Sequence, residues 1–252
     1  LPRGFYGSQQ NSIDRGFSKD SLLQEFSSFG ANDYRVYSSE FIYQNGSNIS
    51  DFLYKSHQIV RGKSKLNGLP SSYVVREDEA ETLIITIEDK ISLIEIDLIY
   101  TIYRDYDVIT RSTLVRNKSL TSIKINKIAS MQLDFFNADY DVLSLPGGHV
   151  RERQVQRENL KKGIKIFESR RGTSSHQMNP FIALLEETTT EHVGNVYGFH
   201  FVYSGNHSFE IEKDQLNQTR LVVGINSTNF NWELSSNEEF QTPEVIMTYS
   251  DT

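Results

Sequence analysis

The 252-residue chain contains no cysteine. Disulfides, thiolate metal sites and a cysteine nucleophile are therefore excluded, and the absence fits a reducing compartment. Tryptophan occurs once, as Trp232, so indole stacking platforms are scarce, although 13 Tyr and 15 Phe offer other rings. No apolar run approaches the roughly 20 residues of a membrane span, and no signal-peptide pattern is present. No membrane partner and a cytoplasmic location are the expectations. The opening LPRGFYGSQQ has no Met, which leads to the expectation that the natural N-terminus lies upstream. Cations are the minority, with 26 Lys and Arg against 33 Asp and Glu, a net charge of -7. The short basic pairs Lys161-Lys162 and Arg170-Arg171 are isolated, so nucleic acid is not an expected partner. There is no Gly-rich phosphate loop, no G-x-S-x-G and no H-E-x-x-H, and neither cofactor nor metal is expected.

What is present is a β pattern along nearly the whole length. In "ETLIITIED" Leu83, Ile85 and Ile87 alternate with Thr82, Ile84 and Thr86. In "SLIEIDLIYTIY" Ile94, Ile96, Leu98, Tyr100 and Ile102 make one face, and Glu95, Asp97 and Thr101 interrupt the other. That predicts a strand buried on one side and partly wet on the other. "TSIKINKI", "SMQLDFF", "NVYGFHFVY", "SFEIEKDQ", "TRLVVGIN" and "PEVIMTYS" read as further strands. Turn signals stand at Asn45-Gly46, Asn67-Gly68, Pro146-Gly147-Gly148 and Ser204-Gly205-Asn206. Two short helices are predicted, in "SKDSLLQEF" and in "NPFIALLEE", the second with Asn179-Pro180 as its start signal. Many short strands, few helices and no linker predict one antiparallel all-β domain over 1–252, a sandwich or barrel.

Candidate chemistry is sparse. In "ESRRGTSSHQMNPF" Ser174, Ser175 and His176 are adjacent, but Ser175 and His176 would point to opposite faces of a strand, against a nucleophile and its base. The six histidines are scattered, without paired ligand spacing. His200, within a strand pattern, reads as a hydrogen-bonded structural residue, whereas His149, in a Pro-Gly-Gly loop, reads as a candidate ligand contact. Asp139 and Asp141 share a face if extended, and read as loop or turn carboxylates.

Taken in order, "DRGFSKDSLLQEF", "KSKLNGLPSSYV", "VITRSTLVRNKS", "SLPGGHVRER", "ESRRGTSSHQMNPF", "VYGFHFVYSGNH" and "FQTPEVIMTYSD" resemble the N-terminal domain of family 36 α-galactosidases, over essentially the whole chain. The resemblance implies a large antiparallel β-supersandwich of the galactose-mutarotase-like kind, preceding a catalytic (β/α)8 barrel that is absent here. It implies a retaining enzyme removing terminal α-galactose from melibiose and raffinose-type oligosaccharides. In the family the catalytic aspartates lie in the barrel, one in a Lys-Trp-Asp-type motif. Here Trp232 is followed by Glu233, so no catalytic residue is expected and the chain by itself is expected to be inactive.

The implied partners are α-galactosides, the barrel and neighbouring subunits of a homotetramer, with loops of this domain walling the sugar pocket. Asp14 and Arg15 match the family pattern as substrate-binding residues. His149 stands where the family usually has Trp, and Gly4-Phe5 where it often has an acid. The arginines and hydroxyls of 168–181 are expected in a buried polar network that holds the loop Gly147 to Arg153. Two other readings are a stand-alone carbohydrate-binding module and a mutarotase-like epimerase pairing Glu168 with His176 or His200.

Overall fold

The computed structural model describes residues 18–137 and 139–251. In chain order the first eight strands are β1 (Ser39–Ile42), β2 (Leu53–Arg61), β3 (Ala80–Asp89), β4 (Ile94–Tyr103), β5 (Val108–Asn117), β6 (Ile123–Phe135), β7 (Tyr140–Pro146) and β8 (Gln156–Asn159). There follow β9 (Gly163–Ser169), β10 (Met178–Glu186), β11 (Val196–Phe201), β12 (His207–Lys213), β13 (Thr219–Ile225), β14 (Trp232–Leu234), β15 (Glu239–Gln241) and β16 (Val245–Ser250). A six-stranded sheet runs β1-β6-β13-β12-β9, with β14 also on β6; a ten-stranded sheet runs β2-β3-β4-β5-β16-β11-β10-β7-β8, with β15 on β5. The pairings between strands are antiparallel. The result is an all-β, two-sheet sandwich, one of the two architectures the strand pattern allows and the one the family resemblance implies.

Two apolar clusters fill the space between the sheets. One gathers Phe41, Ile94, Ile96, Leu98, Val115, Ile125 and Leu234; the other gathers Met131, Ile182, Leu184, Phe199, Phe201, Phe209 and Leu221. The predicted inner face of β4 enters the first cluster at Ile94, Ile96 and Leu98, whereas Ile102 emerges into solvent at 56 % exposure. Asp97 and Thr101, on the face predicted to be wet, are nonetheless buried. Asp97 is bonded there to Arg116 and Thr86, and Thr101 to Thr82.

β6 joins the two clusters. The sequence reads as two strands here, "TSIKINKI" and "SMQLDFF", because the apolar phase breaks. The chain continues as one strand with irregular register opposite Glu40/Phe41 and opposite Val223/Gly224. Each bulge adds a residue and flips the phase, so Ile123 and Ile125, then Ile128, then Met131 all reach the core.

Two expected helices are corrected. "SKDSLLQEF" forms only one 3-10 turn, Lys19–Ser21. "NPFIALLEE" is β10, paired with β7 on one side and β11 on the other. Its run Ile182, Ala183, Leu184 and Leu185 is buried on both faces of the sheet. A continuous apolar run of that length suits a buried strand as well as a helix, and the two neighbouring ladders decide it. Among the described residues no helix is long and apolar enough to cross a membrane.

Candidate functional site

Asp14 and Arg15 lie outside the described residues, as do Gly4 and Phe5, so the geometry of the site rests on His149 and on the segment 168–181. β7 delivers the chain to Pro146, and Gly148 and Arg151 then close a tight turn through reciprocal backbone hydrogen bonds of 3.0 and 2.9 Å. His149 and Val150 form its tip, with Val150 at φ 68° and 77 % exposed. The His149 imidazole is exposed at the end of the hairpin. Glu152 accepts a hydrogen bond from the Val150 amide at 3.1 Å, and Gln154 donates its own amide to the Pro146 carbonyl at 2.7 Å. The loop is thus held by its own backbone, and its side chains are left outward.

Gly147 joins this hairpin to the second segment. Its amide donates to the Gln177 carbonyl at 3.0 Å. A Cβ at Gly147 would stand 2.6 Å from the Arg151 carbonyl oxygen and 2.8 Å from that of His176. Only glycine allows so close an approach of two backbones.

The segment 168–181 is anchored chiefly by its backbone and hydroxyls. Ser169 Oγ donates to the Thr173 carbonyl at 2.5 Å, Gly172 N to Asn206 Oδ1 at 2.6 Å and Ser174 N to the Ser204 carbonyl at 2.8 Å. Its arginines are not in a buried network, which corrects the expectation. Arg170 is 57 % exposed and pairs with Glu168 at 2.6 Å, and Arg171 and His176 are exposed. The loop between β9 and β10 is tied down through its backbone amides, and its long cationic side chains stay hydrated. Together the two loops set His149, Arg151, Arg153, Arg170, Arg171 and His176 in solvent, a local excess of cations and imidazoles on an acidic chain.

No acid–base pair forms with Glu168. Its carboxylate is taken by Arg170 and by Asn226 Nδ2 at 2.7 Å. His200 lies exposed on β11, and its ring has no side-chain hydrogen bond among the described residues, contrary to the hydrogen-bonded role expected of it. The buried histidine is His207, at 0 % exposure, with neither ring nitrogen bonded. Burial pushes its imidazole below the ordinary value; the Gly205 backbone and Glu168 oppose this more weakly, and Gly205 stands outside hydrogen-bond geometry. Asp139 and Asp141 are structural: Asp141 binds Arg157 at 2.7 Å, and Asp139 binds Lys213 at 3.3 Å.

The buried polar network that sequence reasoning missed joins β6 and β13 of the six-stranded sheet to the segment before β1. Arg220 Nη2 reaches Asp33 at 2.8 Å and Asp134 at 2.7 Å, and Arg35 Nη2 reaches Asp33 at 2.9 Å. Burial alone would raise Asp33, but Arg35 and Arg220 outweigh it and hold the carboxyl below its ordinary value. These carboxylates are 2 % exposed. Among the described residues no group of three or more His, Asp or Glu is placed to hold a metal ion.

Comparison with known proteins agrees with this architecture. The profile of the Glycosyl hydrolase family 36 N-terminal domain matches residues 4–235. The chain is 53 % identical over 251 residues to alpha-galactosidase Mel36A of Lactobacillus acidophilus, covering all of this chain and 34 % of that protein. It superposes on the crystal structure of the family 36 alpha-galactosidase AgaA of Geobacillus stearothermophilus with a TM-score of 0.95 at 48 % identity, covering 100 % of this chain and 35 % of that one. A variant of AgaA has been solved in complex with raffinose. The chain spans about a third of the length of the curated relatives it matches.

Proposed function

Because the chain belongs to the Glycosyl hydrolase family 36 N-terminal domain family, we propose that it is the non-catalytic β domain of a retaining α-galactosidase. In this reading the full-length enzyme hydrolyses terminal α-D-galactosyl residues of melibiose and raffinose-type oligosaccharides. The domain supports the catalytic barrel, takes part in a cytoplasmic homotetramer and lends its rim to the sugar pocket. The observation that carries the reading is the rigid pair of loops joined at Gly147, which holds His149 outward from the sheet on a backbone-bonded turn.

Such a turn suits a contact to something outside the domain. An imidazole on a fixed backbone offers one donor and one acceptor to sugar hydroxyls. The hydrolysis itself is assigned elsewhere. A retaining glycosidase works with two carboxyl groups about 5–5.5 Å apart across an open cleft, and the reading assigns that pair to the part of the enzyme beyond this chain, which spans about a third of its relatives' length.

The test is an assay of the 252-residue chain on 4-nitrophenyl α-galactoside, beside the full-length enzyme. No release is expected from the chain alone. Turnover by the purified chain would overturn the reading.

A further inference from the structure

The outer face of the ten-stranded sheet carries a trough that His149 does not line. Its floor is set by strand register. Thr82, Thr101 and Thr110 stand opposite one another on β3, β4 and β5, and Ile84, Ile99 and Ser112 form the next row. The segment Lys63–Leu69, turned at Asn67-Gly68, borders one side, and Trp232, Phe240 and Gln241 border the other. The cavity measures about 590 Å3. A second hollow of about 360 Å3 shares Leu69, Trp232, Phe240 and Gln241 with it and extends to Tyr203 and Asn206. The Trp232 and Phe240 rings, 5.3 Å apart and tilted, therefore stand between two connected hollows.

The floor has unused hydrogen-bonding capacity. Thr82 Oγ1 is satisfied by Thr101 at 2.8 Å and by the Gly62 carbonyl at 2.7 Å. The next hydroxyls, Thr110 and Ser112, are 3 % and 4 % exposed, and neither side chain has a hydrogen-bond partner among the described residues. Their oxygens are not among the enclosed unpaired atoms, so they open onto the trough and are left to bond what enters it. Trp232, by contrast, is 49 % exposed and presents an indole to the trough.

The lining selects a neutral ligand. Lys63 is neutralised by Glu244 at 2.7 Å and Glu239 by Arg116 at 3.1 Å. Of the charged lining residues only Lys65 has no ion pair among the described residues, and it is exposed. Hydroxyls that both donate and accept, an amide and an aromatic plane without net charge complement a molecule with alternating O–H and C–H faces. The volume lies within the ~300–1,000 Å3 of small-molecule sites.

We propose that this trough binds a neutral oligosaccharide, with Trp232 as the stacking platform and the Thr110 and Ser112 hydroxyls as hydrogen-bonding partners on the floor. The chemistry of the trough alone selects the ligand class, so a catalytically silent chain would still bind.

The experiment is a nitrogen-15 amide NMR titration of the 252-residue chain with raffinose and, separately, with maltotriose. With at least one of them we expect saturable shifts at Thr101, Thr110, Ser112 and the Trp232 indole N–H. The dissociation constant expected is on the order of 1–10 mM. Trp232→Ala is expected to weaken binding about tenfold while keeping the dispersed spectrum of a folded chain. Ser112→Ala tests the floor without touching the aromatic pair and is expected to weaken binding several-fold. The proposal is overturned by no saturable shift with either sugar at about 50 mM, by shifts confined to residues 148–153, or by unchanged binding in both variants.

Discussion

Gly147 and His176, twenty-nine positions apart in the chain, meet backbone to backbone: a Cβ on Gly147 would stand 2.8 Å from the His176 carbonyl oxygen. This contact ties the hairpin that carries His149 to the arginine-bearing segment between β9 and β10. The two most recognisable motifs of the sequence thus form one piece of structure. Gly147→Ala must displace one backbone or the other. We expect a loss of about 1–3 kcal/mol in denaturant unfolding. Amide shifts should concentrate at residues 148–153 and 173–178; wild-type stability with an unperturbed spectrum would refute the contact.

His149 gives the rim its test in the full-length enzyme. His149→Trp, the indole that the family resemblance implies at this position, enlarges the apolar contact area and removes the ring acceptor while keeping one N–H donor. A shift in the ratio of kcat/KM between melibiose and raffinose of about threefold or more is expected, on the order of 1 kcal/mol of differential contact. Equal values on every α-galactoside tried would remove His149 from the rim of the pocket.

Arg220 holds the buried network together through Asp33, Asp134, Ser27 and the Val36 carbonyl. Arg220→Met leaves the two buried carboxylates to share Arg35, at 2.9 Å from Asp33 and 3.5 Å from Asp134, and a loss of about 3–5 kcal/mol is expected in chemical unfolding. The same network makes the fold acid-sensitive. Asp33 is held below its ordinary 3.8 in the folded chain, so the unfolded chain binds the proton first. Its contribution is fully present above 3.8 and is lost as pH falls from there through the folded value. Unfolding midpoints measured across that window should fall more steeply in the wild type than in Asp33→Asn.

Arg111 predicts the opposite outcome for a similar substitution. Its side chain is 1 % exposed, and burial pushes the guanidinium down to about 10. Nε and Nη2 have no hydrogen-bond partner, and Glu25 stands 4.0 Å away. The Tyr100 ring beneath it, 4.4 Å from Cζ, and the Ser112 carbonyl offset part of that cost. Arg111→Met keeps the volume and removes an incompletely paired charge, so stability is expected to stay level or to rise by about 1–2 kcal/mol. A loss above about 2 kcal/mol would show that the cation–π contact outweighs the desolvation.

His207 makes stability depend on pH near neutrality. Its folded pKa is depressed below 6.5, so the unfolded chain takes up a proton as pH falls below 6.5 while the folded chain stays neutral. The stability present above 6.5 is therefore lost as pH falls from there to the folded value. His207→Phe, packed against Phe209 as the imidazole is now, should flatten the pH dependence of the unfolding midpoint below 6.5. An unchanged slope would assign the dependence to other groups.

Alternating residues in "ETLIITIED" and "SLIEIDLIYTIY" were sufficient to place β3 and β4, because strand periodicity is a local property of a half-buried chain. The glycines after Pro146 were legible as a turn for the same local reason, and the collinear motifs carried the family. β10 was not legible, since Ile182 to Leu185 are apolar without period and become a strand through β7 and β11 on either side. Nor was β6, whose two bulges scramble the alternation. Pairing was the largest omission: Asp33 and Arg220 are separated by 187 positions and meet at 2.8 Å.

By itself, then, the sequence determined the all-β class, most strand positions and the kinship. Those depend on periodicity and residue identity over a few neighbours. Only the tertiary structure decided which arginines are buried. It kept Arg170 and Arg171 of "ESRRGTSSHQMNPF" in water and enclosed Arg35, Arg111 and Arg220. The desolvation of a guanidinium is set by which distant strands close over it, and no local pattern carries that information.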